Sequence, residues 1–168
     1  MNVHEAFGIA LDNESRNPLL KPTAGRLVPR GTELSEEYLV MERILKVSEQ
    51  HVWVGVQEEH VYFGLTNYGQ SELGKIISVE LPEVGDKVER GEPFAEVESF
   101  STVSELIAPV SGTVLAVNVD LENHPSIINE DPYSEGWLIE VKLKDASEVK
   151  SLMEMDEYYH FVFKPNPQ

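Results

Sequence analysis

The sequence predicts a mainly β fold, in which short antiparallel strands form a sandwich or a flattened barrel. Between residues 51 and 119, runs of β-branched and aromatic residues recur every ~8–12 residues, separated by Gly, Pro, Asn or Asp. A length of 168 residues suits one domain with an appendage, and a hydrophobic content of 41% is enough for a core. The sequence contains no cysteine, so neither disulfides nor thiolate metal sites contribute to the fold.

The N-terminal part of the chain differs in character from the rest. Residues 1–31 contain scattered Asn, Pro, Gly and Ser without a hydrophobic period, which predicts a poorly ordered extension. Within it, Leu27-Val-Pro-Arg30-Gly31 matches a thrombin cleavage sequence used in expression vectors, so the extension is either vector-derived or native. Residues 32–46 are predicted to form a short helix, because apolar residues recur near helical spacing at Leu34, Tyr38, Met41, Ile44 and Leu45.

The predicted strands follow in order along the middle of the chain. Alternating apolar residues over 52–56 and 61–63 predict a hairpin whose turn contains Glu58 and Glu59. Residues 67–73 are predicted to form a short helix or turn. Further strands are predicted over residues 75–81, where Pro82 ends the strand, and over residues 94–97, 103–107 and 113–119.

Residues 144–168 are predicted to form a C-terminal helical segment and a tail. Asp145 is predicted to cap a helix, with Glu148 three residues later as in a capping box. Val149, Leu152 and Met153 then lie on one helical face. The aromatic residues of the predicted tail are Tyr158, Tyr159, Phe161 and Phe163.

The charge of the chain excludes some classes of partner. Thirteen Lys and Arg stand against thirty Asp and Glu, which gives a formal net charge of −17. Such an excess repels phosphate backbones and anionic lipids, so we expect neither nucleic-acid nor membrane binding. No apolar run approaches the ~18 residues of a membrane span, and no signal or transit peptide is recognisable, so a cytoplasmic location is expected.

No catalytic or metal site is predicted. The five histidines are dispersed, and no pair has the spacing of metal ligands on a helix. The sequence has no phosphate-binding glycine loop and no serine paired with a placed histidine, so we do not expect an enzyme. The segment from Asp131 to Trp137 is dense in special residues, but we interpret it as a Pro-stiffened loop that places an aromatic anchor in the core.

Six motifs along the chain carry a family resemblance. They resemble the H protein of the glycine cleavage system, and the similar region runs from His51 to Tyr159. The resemblance implies a lipoyl/biotinyl-type flattened β-barrel, or barrel-sandwich hybrid, over residues 47–143, with C-terminal helices and an N-terminal extension. The motifs are His51-Val-Trp53-Val, Gly64-Leu-Thr66-Asn-Tyr68, Leu73-Gly74-Lys-Ile, Val79-Glu-Leu-Pro-Glu-Val-Gly85-Asp, Ala108-Pro-Val-Ser-Gly112 and Asn129-Glu-Asp-Pro-Tyr133-Ser-Glu-Gly-Trp137.

The same resemblance exposes one departure. In the family, a hairpin reading Glu-Ser-x-Lys-Ala-x-Ser carries lipoate on its lysine, whereas this chain has Ser101 at that position. A serine hydroxyl is a much weaker nucleophile than a lysine amine, so no lipoyl cofactor is expected. Ser101 is interpreted as a solvent-facing turn serine, with a phosphorylated or ester-linked serine as the less favoured alternatives. The residues around it that still match the family, and would form the partner surface, are Glu98, Ser99, Val103 and Ser104.

Two functions follow from the resemblance. In the first, the chain is a non-lipoylated binding, scaffold or regulatory module that docks on the partners of H proteins. In the second, it is a carrier that moves the aminomethyl group between the glycine decarboxylase and the aminomethyltransferase. The implied partners are these two enzymes, dihydrolipoamide dehydrogenase and a lipoate ligase. Glu98 is then either an inherited contact or an ordinary solvated charge.

Overall fold

A computed structural model describes residues 45–57 and 60–163. The predictions for residues 1–44, for the turn at Glu58 and Glu59, and for residues 164–168 lie outside the described residues. The described chain is mainly β, as predicted. Its strands are β1 (Leu45–Val47), β2 (Val52–Gln57), β3 (His60–Leu65), β4 (Ile76–Glu80), β5 (Lys87–Val88), β6 (Pro93–Ser99), β7 (Val103–Ile107), β8 (Gly112–Val117), β9 (Ile139–Leu143) and β10 (Met153–Glu154).

Short helices connect these strands. The α-helices are α1 (Asn67–Leu73), α2 (Ile127–Glu130) and α3 (Met155–Phe163). Two 3-10 helices cover Val119–Glu122 and Ala146–Ser151. Thr66 caps the N-terminus of α1: its hydroxyl accepts a hydrogen bond from the Gly69 amide at 2.9 Å, which satisfies a free amide of the first turn.

The strands form two antiparallel sheets. The larger sheet has the order β10-β1-β2-β3-β9-β8-β5, and the smaller sheet has the order β4-β6-β7. Valines and other apolar residues that alternate along both sheets meet between them, as in a sandwich. The rings of Phe63 in the larger sheet and Phe94 in the smaller one, for example, lie edge to face with their centroids 5.3 Å apart. This arrangement leaves the outer face of the small sheet in solvent.

A second apolar cluster forms where β1 and β2 meet α3. Trp53 is fully buried there, and its indole N–H donates to the Pro132 carbonyl at 3.1 Å. Tyr133 is buried beside it, with the ring centroids 6.3 Å apart. The segment from Asp131 to Trp137 therefore does place an aromatic anchor in the core, as the sequence predicted.

A buried tyrosine joins helix α3 to this region. The Tyr158 hydroxyl lies 2.8 Å from Thr66 Oγ1 and 2.7 Å from Nδ1 of His51, a residue with a positive φ of 73°. Burial raises the pKa of Tyr158 to about 12, because the phenolate form is poorly solvated in this environment. Burial also lowers the pKa of His51, with Glu72 opposing the shift. The neutral hydroxyl of Tyr158 thus holds α3 in position through its hydrogen bonds to Thr66 and His51.

The structure corrects the predicted secondary structure at several points. Leu45 and Lys46, the last residues of the predicted helix 32–46, lie in strand β1, where Lys46 pairs with Glu154. Met153, predicted on a helical face, lies in β10. Asp145 does cap the 3-10 helix, since its carboxylate accepts a hydrogen bond from the Ser147 amide at 3.0 Å. The capping box is incomplete, because the Glu148 carboxylate accepts from the backbone amide of Ser111 at 2.7 Å instead.

The predicted aromatic tail is likewise not a tail. Its aromatic residues lie on helix α3, which ends at Phe163 within the described residues. The C-terminal segment therefore completes the large sheet through β10 and then packs a helix against β1. Both elements depend on long-range pairing that the local pattern does not reveal.

Candidate functional site

The hairpin of β6 and β7 carries the residues that the sequence resemblance singled out. Glu98 pairs with Val103 across the two strands, and Ser99-Phe100-Ser101-Thr102 form the turn between them. Along β6, Glu96 and Glu98 are exposed while Val97 and Ser99 are buried. This strict alternation divides the hairpin into an inner face, which joins the core, and an outer face in solvent.

A single buried serine organises the turn. The Ser99 amide donates to the Thr102 carbonyl at 2.8 Å. The Ser99 hydroxyl oxygen accepts from the amides of Ser101 at 3.3 Å and of Thr102 at 3.2 Å. Serine hydroxyls commonly close turns in this way. The tip of the hairpin therefore has a defined shape although its residues face the solvent.

Ser101 lies at this tip and is exposed, as predicted. Its hydroxyl lies 3.5 Å from the Ser99 hydroxyl, and no histidine or carboxylate within residues 45–57 and 60–163 hydrogen-bonds to it. It therefore lacks the neighbouring base that activates a nucleophilic serine. The lysine nearest along the sheet is Lys75, which precedes β4 and is exposed, and the next residue, Ile76, pairs with Ser99.

The structure separates the four residues predicted to form one partner surface. Glu98 and Val103 lie opposite each other on the outer face, and both are exposed. Ser99 and Ser104 do not share that face: Ser99 is only 4% exposed, and Ser104 is half-buried opposite Val97. These two serines do not share the outer face with Glu98 and Val103, because neighbouring strand residues point to opposite faces. A partner surface formed by all four residues stays a prediction.

Sequence reasoning missed the most prominent group of the hairpin. Phe100 occupies the turn beside Ser101, and 76% of its surface is exposed. Val103 and Ile77, which lies at a bulge in β4, are 57% and 40% exposed. The sequence signal that could have identified Phe100 was a large apolar residue inside a predicted turn. The tip thus presents an aromatic ring with aliphatic neighbours.

The outer face behind the tip is strongly acidic. Glu80, Glu96 and Glu105 are directly opposite one another across β4, β6 and β7, and all three are exposed. The three strands contain four glutamates, including Glu98, and neither Lys nor Arg. The ion pairs found among the described residues do not involve any of these four carboxylates. This face therefore carries uncompensated negative charge.

Other kinds of site are not apparent in the described part of the chain. Residues 45–57 and 60–163 hold no group of three or more His, Asp or Glu side chains able to bind a metal ion. A shallow depression of about 250 Å³ lies between Arg90, Pro109 and Ser151, and no hairpin residue lines it. Among the helices of the described segments, none has the length and apolar character needed to cross a membrane.

Comparisons with known proteins place these features in a family context. Residues 45–164 match the family model described as glycine cleavage H-protein. The glycine cleavage system H protein of Halalkalibacterium halodurans is 54% identical over 118 residues, which cover 70% of this chain and 92% of the relative. The protein of the same name from Bacillus cytotoxicus is 52% identical over 114 residues, covering 68% and 90%.

A solved structure gives the same result. The crystal structure of a glycine cleavage system H protein from Mycobacterium marinum superposes with a TM-score of 0.65 at 35% sequence identity. The similarity covers 71% of this chain and 96% of that one. The shared part therefore includes both sheets and the hairpin, while the first 44 residues lie outside the family match.

Proposed function

The chain belongs to the glycine cleavage H-protein family, and on this premise we propose that it is a non-lipoylated member that docks on the partners of H proteins. The family consists of carriers without catalytic activity of their own, and the chain is not an enzyme. In the proposed role it acts as a scaffold, regulator or competitor in the cytoplasm. The proposed partners are the glycine decarboxylase, the aminomethyltransferase and dihydrolipoamide dehydrogenase, or the ligase that attaches lipoate.

One observation supports this proposal: the exposed tip of the hairpin carries Ser101, a hydroxyl at the position where the resemblance implies the lysine amine. Lipoate attachment forms an amide with a lysine, and the four-residue turn from Ser99 to Thr102 contains no lysine. The rest of the hairpin is well formed, because Ser99 holds the turn closed. A protein that keeps the docking shape and lacks the attachment group is suited to binding rather than to carrying.

A second candidate is the ordinary carrier function. The names of relatives that are about half identical to this chain favour it. In that role a lipoyl group would have to be attached elsewhere, and the exposed amine of Lys75, next to the strand that pairs with Ser99, lies nearest along the sheet. Peptide mapping after lipoylation separates the two candidates, since the docking proposal expects no modified peptide.

The docking proposal is tested in a reconstituted glycine cleavage reaction. We expect the chain to inhibit glycine turnover competitively with an authentic lipoylated H protein, because both occupy the same docking site. Added salt should weaken the inhibition, since exposed charges are screened beyond ~8–10 Å near physiological ionic strength and the net charge is −17.

Two results would contradict the proposal. Absence of inhibition at a large molar excess over the lipoylated protein would remove the competitor function. Restoration of glycine turnover by this chain alone, with no other H protein present, would establish the carrier function instead.

A further inference from the structure

We propose that Phe100 is the anchor by which the hairpin docks, and that its partner is a basic protein surface with an apolar pocket flanked by Lys or Arg. This inference rests on the proposed docking function and adds the chemistry of the contact. In this proposal the contact is made by the aromatic ring of residue 100, and not by a flexible lipoyl-lysine at residue 101. Two features of the hairpin support it: the exposure of the ring and the charge of the sheet behind it.

The exposure of Phe100 lacks a folding explanation. The ring is 76% exposed at the tip of the turn, so it adds little to the core. Large aromatic side chains are enriched among the residues that dominate protein interfaces. Burial of one such ring in a partner pocket strengthens binding about tenfold to a hundredfold. Val103 and Ile77 extend the apolar surface on either side of the tip.

The turn is also rigid enough to present the ring. Ser99 is buried, and its hydroxyl fixes the amides of Ser101 and Thr102 on the far side of Phe100. A side chain held on an ordered turn loses less conformational freedom on binding than one on a loose loop. The hairpin therefore offers a preorganised contact.

The acidic sheet behind the tip determines that the partner surface should be positively charged. The residue pair nearest the tip is Glu98 and Val103. Two residues farther from the tip, about 7 Å away, three glutamates lie opposite one another: Glu80, Glu96 and Glu105. Like charges directly opposite each other destabilise a sheet. A partner with Lys or Arg at this distance from its apolar pocket would relieve that repulsion.

Other occupants fit this surface less well. A second copy of the chain would bring the same acidic face and another net charge of −17 against it. Anionic membranes and nucleic acids are repelled for the same reason. A basic protein surface is the occupant whose charge complements the three strands.

The test measures the affinity of the full chain for each of the three purified glycine cleavage enzymes, and for a lipoate–protein ligase, by titration calorimetry. Phe100→Ser should weaken binding at least tenfold. Phe163→Ser is the matched control, because Phe163 is also aromatic and 63% exposed but lies on helix α3. Glu96→Gln should weaken binding and reduce its salt dependence. Glu135→Gln, which removes an equal charge from an exposed loop residue, should not.

The outcomes separate this inference from the function on which it rests. If the wild-type chain binds and Phe100→Ser binds equally well, the anchor is refuted while the docking function stands. If the wild-type chain binds none of the three enzymes and not the ligase, the docking function fails and the anchor fails with it. Self-association in sedimentation equilibrium that Phe100→Ser abolishes would overturn the basic-partner assignment. Unchanged melting temperatures of the variants exclude misfolding as the cause of any loss.

Discussion

Replacement of Ser101 by lysine should restore a lipoylation site without disturbing the fold. Ser101 is exposed and does not have a positive φ, so a longer side chain meets neither a steric nor a backbone penalty. Its hydroxyl makes one long contact, 3.5 Å to Ser99 Oγ, and this contact contributes little. The free energy of unfolding should change by no more than about 0.5 kcal/mol. The melting temperature should then shift by no more than about 2 °C.

The modification itself is read by intact-mass spectrometry. Ser101→Lys is incubated with a lipoate–protein ligase, lipoate and ATP, and we expect the mass of one amide-linked lipoyl group on a peptide spanning residues 98–104. The wild-type chain should stay unmodified under the same conditions, because its turn carries no amine. Phe100→Lys provides the matched control: it places the same amine on the same turn one residue out of register.

Three results would refute this reasoning. A modified wild-type peptide would mean that attachment does not need a lysine at the tip. An unmodified but folded Ser101→Lys, under conditions that modify an authentic H protein, would mean that the hairpin has diverged beyond its tip. Equal modification of Phe100→Lys would mean that the ligase reads exposure alone rather than the register of the turn.

The remaining predictions concern the turn, the buried tyrosine and the N-terminal extension. Ser99→Ala removes the acceptor of two turn amides, including that of Thr102, and should lower the free energy of unfolding in urea by about 1 kcal/mol. Tyr158→Phe removes the hydroxyl that bonds Thr66 and should cost about 1–2 kcal/mol. Because the pKa of Tyr158 rises from 10.0 to about 12 on folding, wild-type stability should fall as the pH rises through that range, whereas Tyr158→Phe should lack this loss. Deletion of residues 1–31 should leave the melting temperature nearly unchanged, since this segment has no periodic apolar face, and a fall of several degrees in circular dichroism would contradict that.

The strands that could be predicted from the sequence are those with a local signal. In β2 and β3 the β-branched and aromatic residues recur in short runs, and the helix between Asn67 and Leu73 follows a threonine cap. In contrast, β1 and β10 contain three and two residues, too few to show a period. β10 becomes a strand because it pairs with β1 across more than one hundred residues of sequence, and β1 because it pairs with both β2 and β10.

The candidate site shows the same limit. The sequence identified Ser101 and its flanks because a family motif passes through them. It could not assign Ser99 and Ser104 to the inner face, because a motif records order along the chain and not the side of the sheet. The sequence also gave no reason to single out Phe100, because its interest comes from the exposure of its side chain in the fold.

The pairing of β1 with β10 has a consequence for synthesis of the protein on the ribosome. Strand β1 leaves the exit tunnel early, but its outer partner, Met153–Glu154, is translated only near the end of the chain. Contacts so distant in sequence slow folding, since a long loop must close before they form. The large sheet therefore cannot gain its edge strand β10 before the chain is almost complete. Until then, β1 is an unpaired edge that other strands can join. A transcript truncated before Met153 should yield a nascent chain prone to aggregation, whereas the hairpin of β6 and β7, whose strands are close in sequence, can form while translation continues.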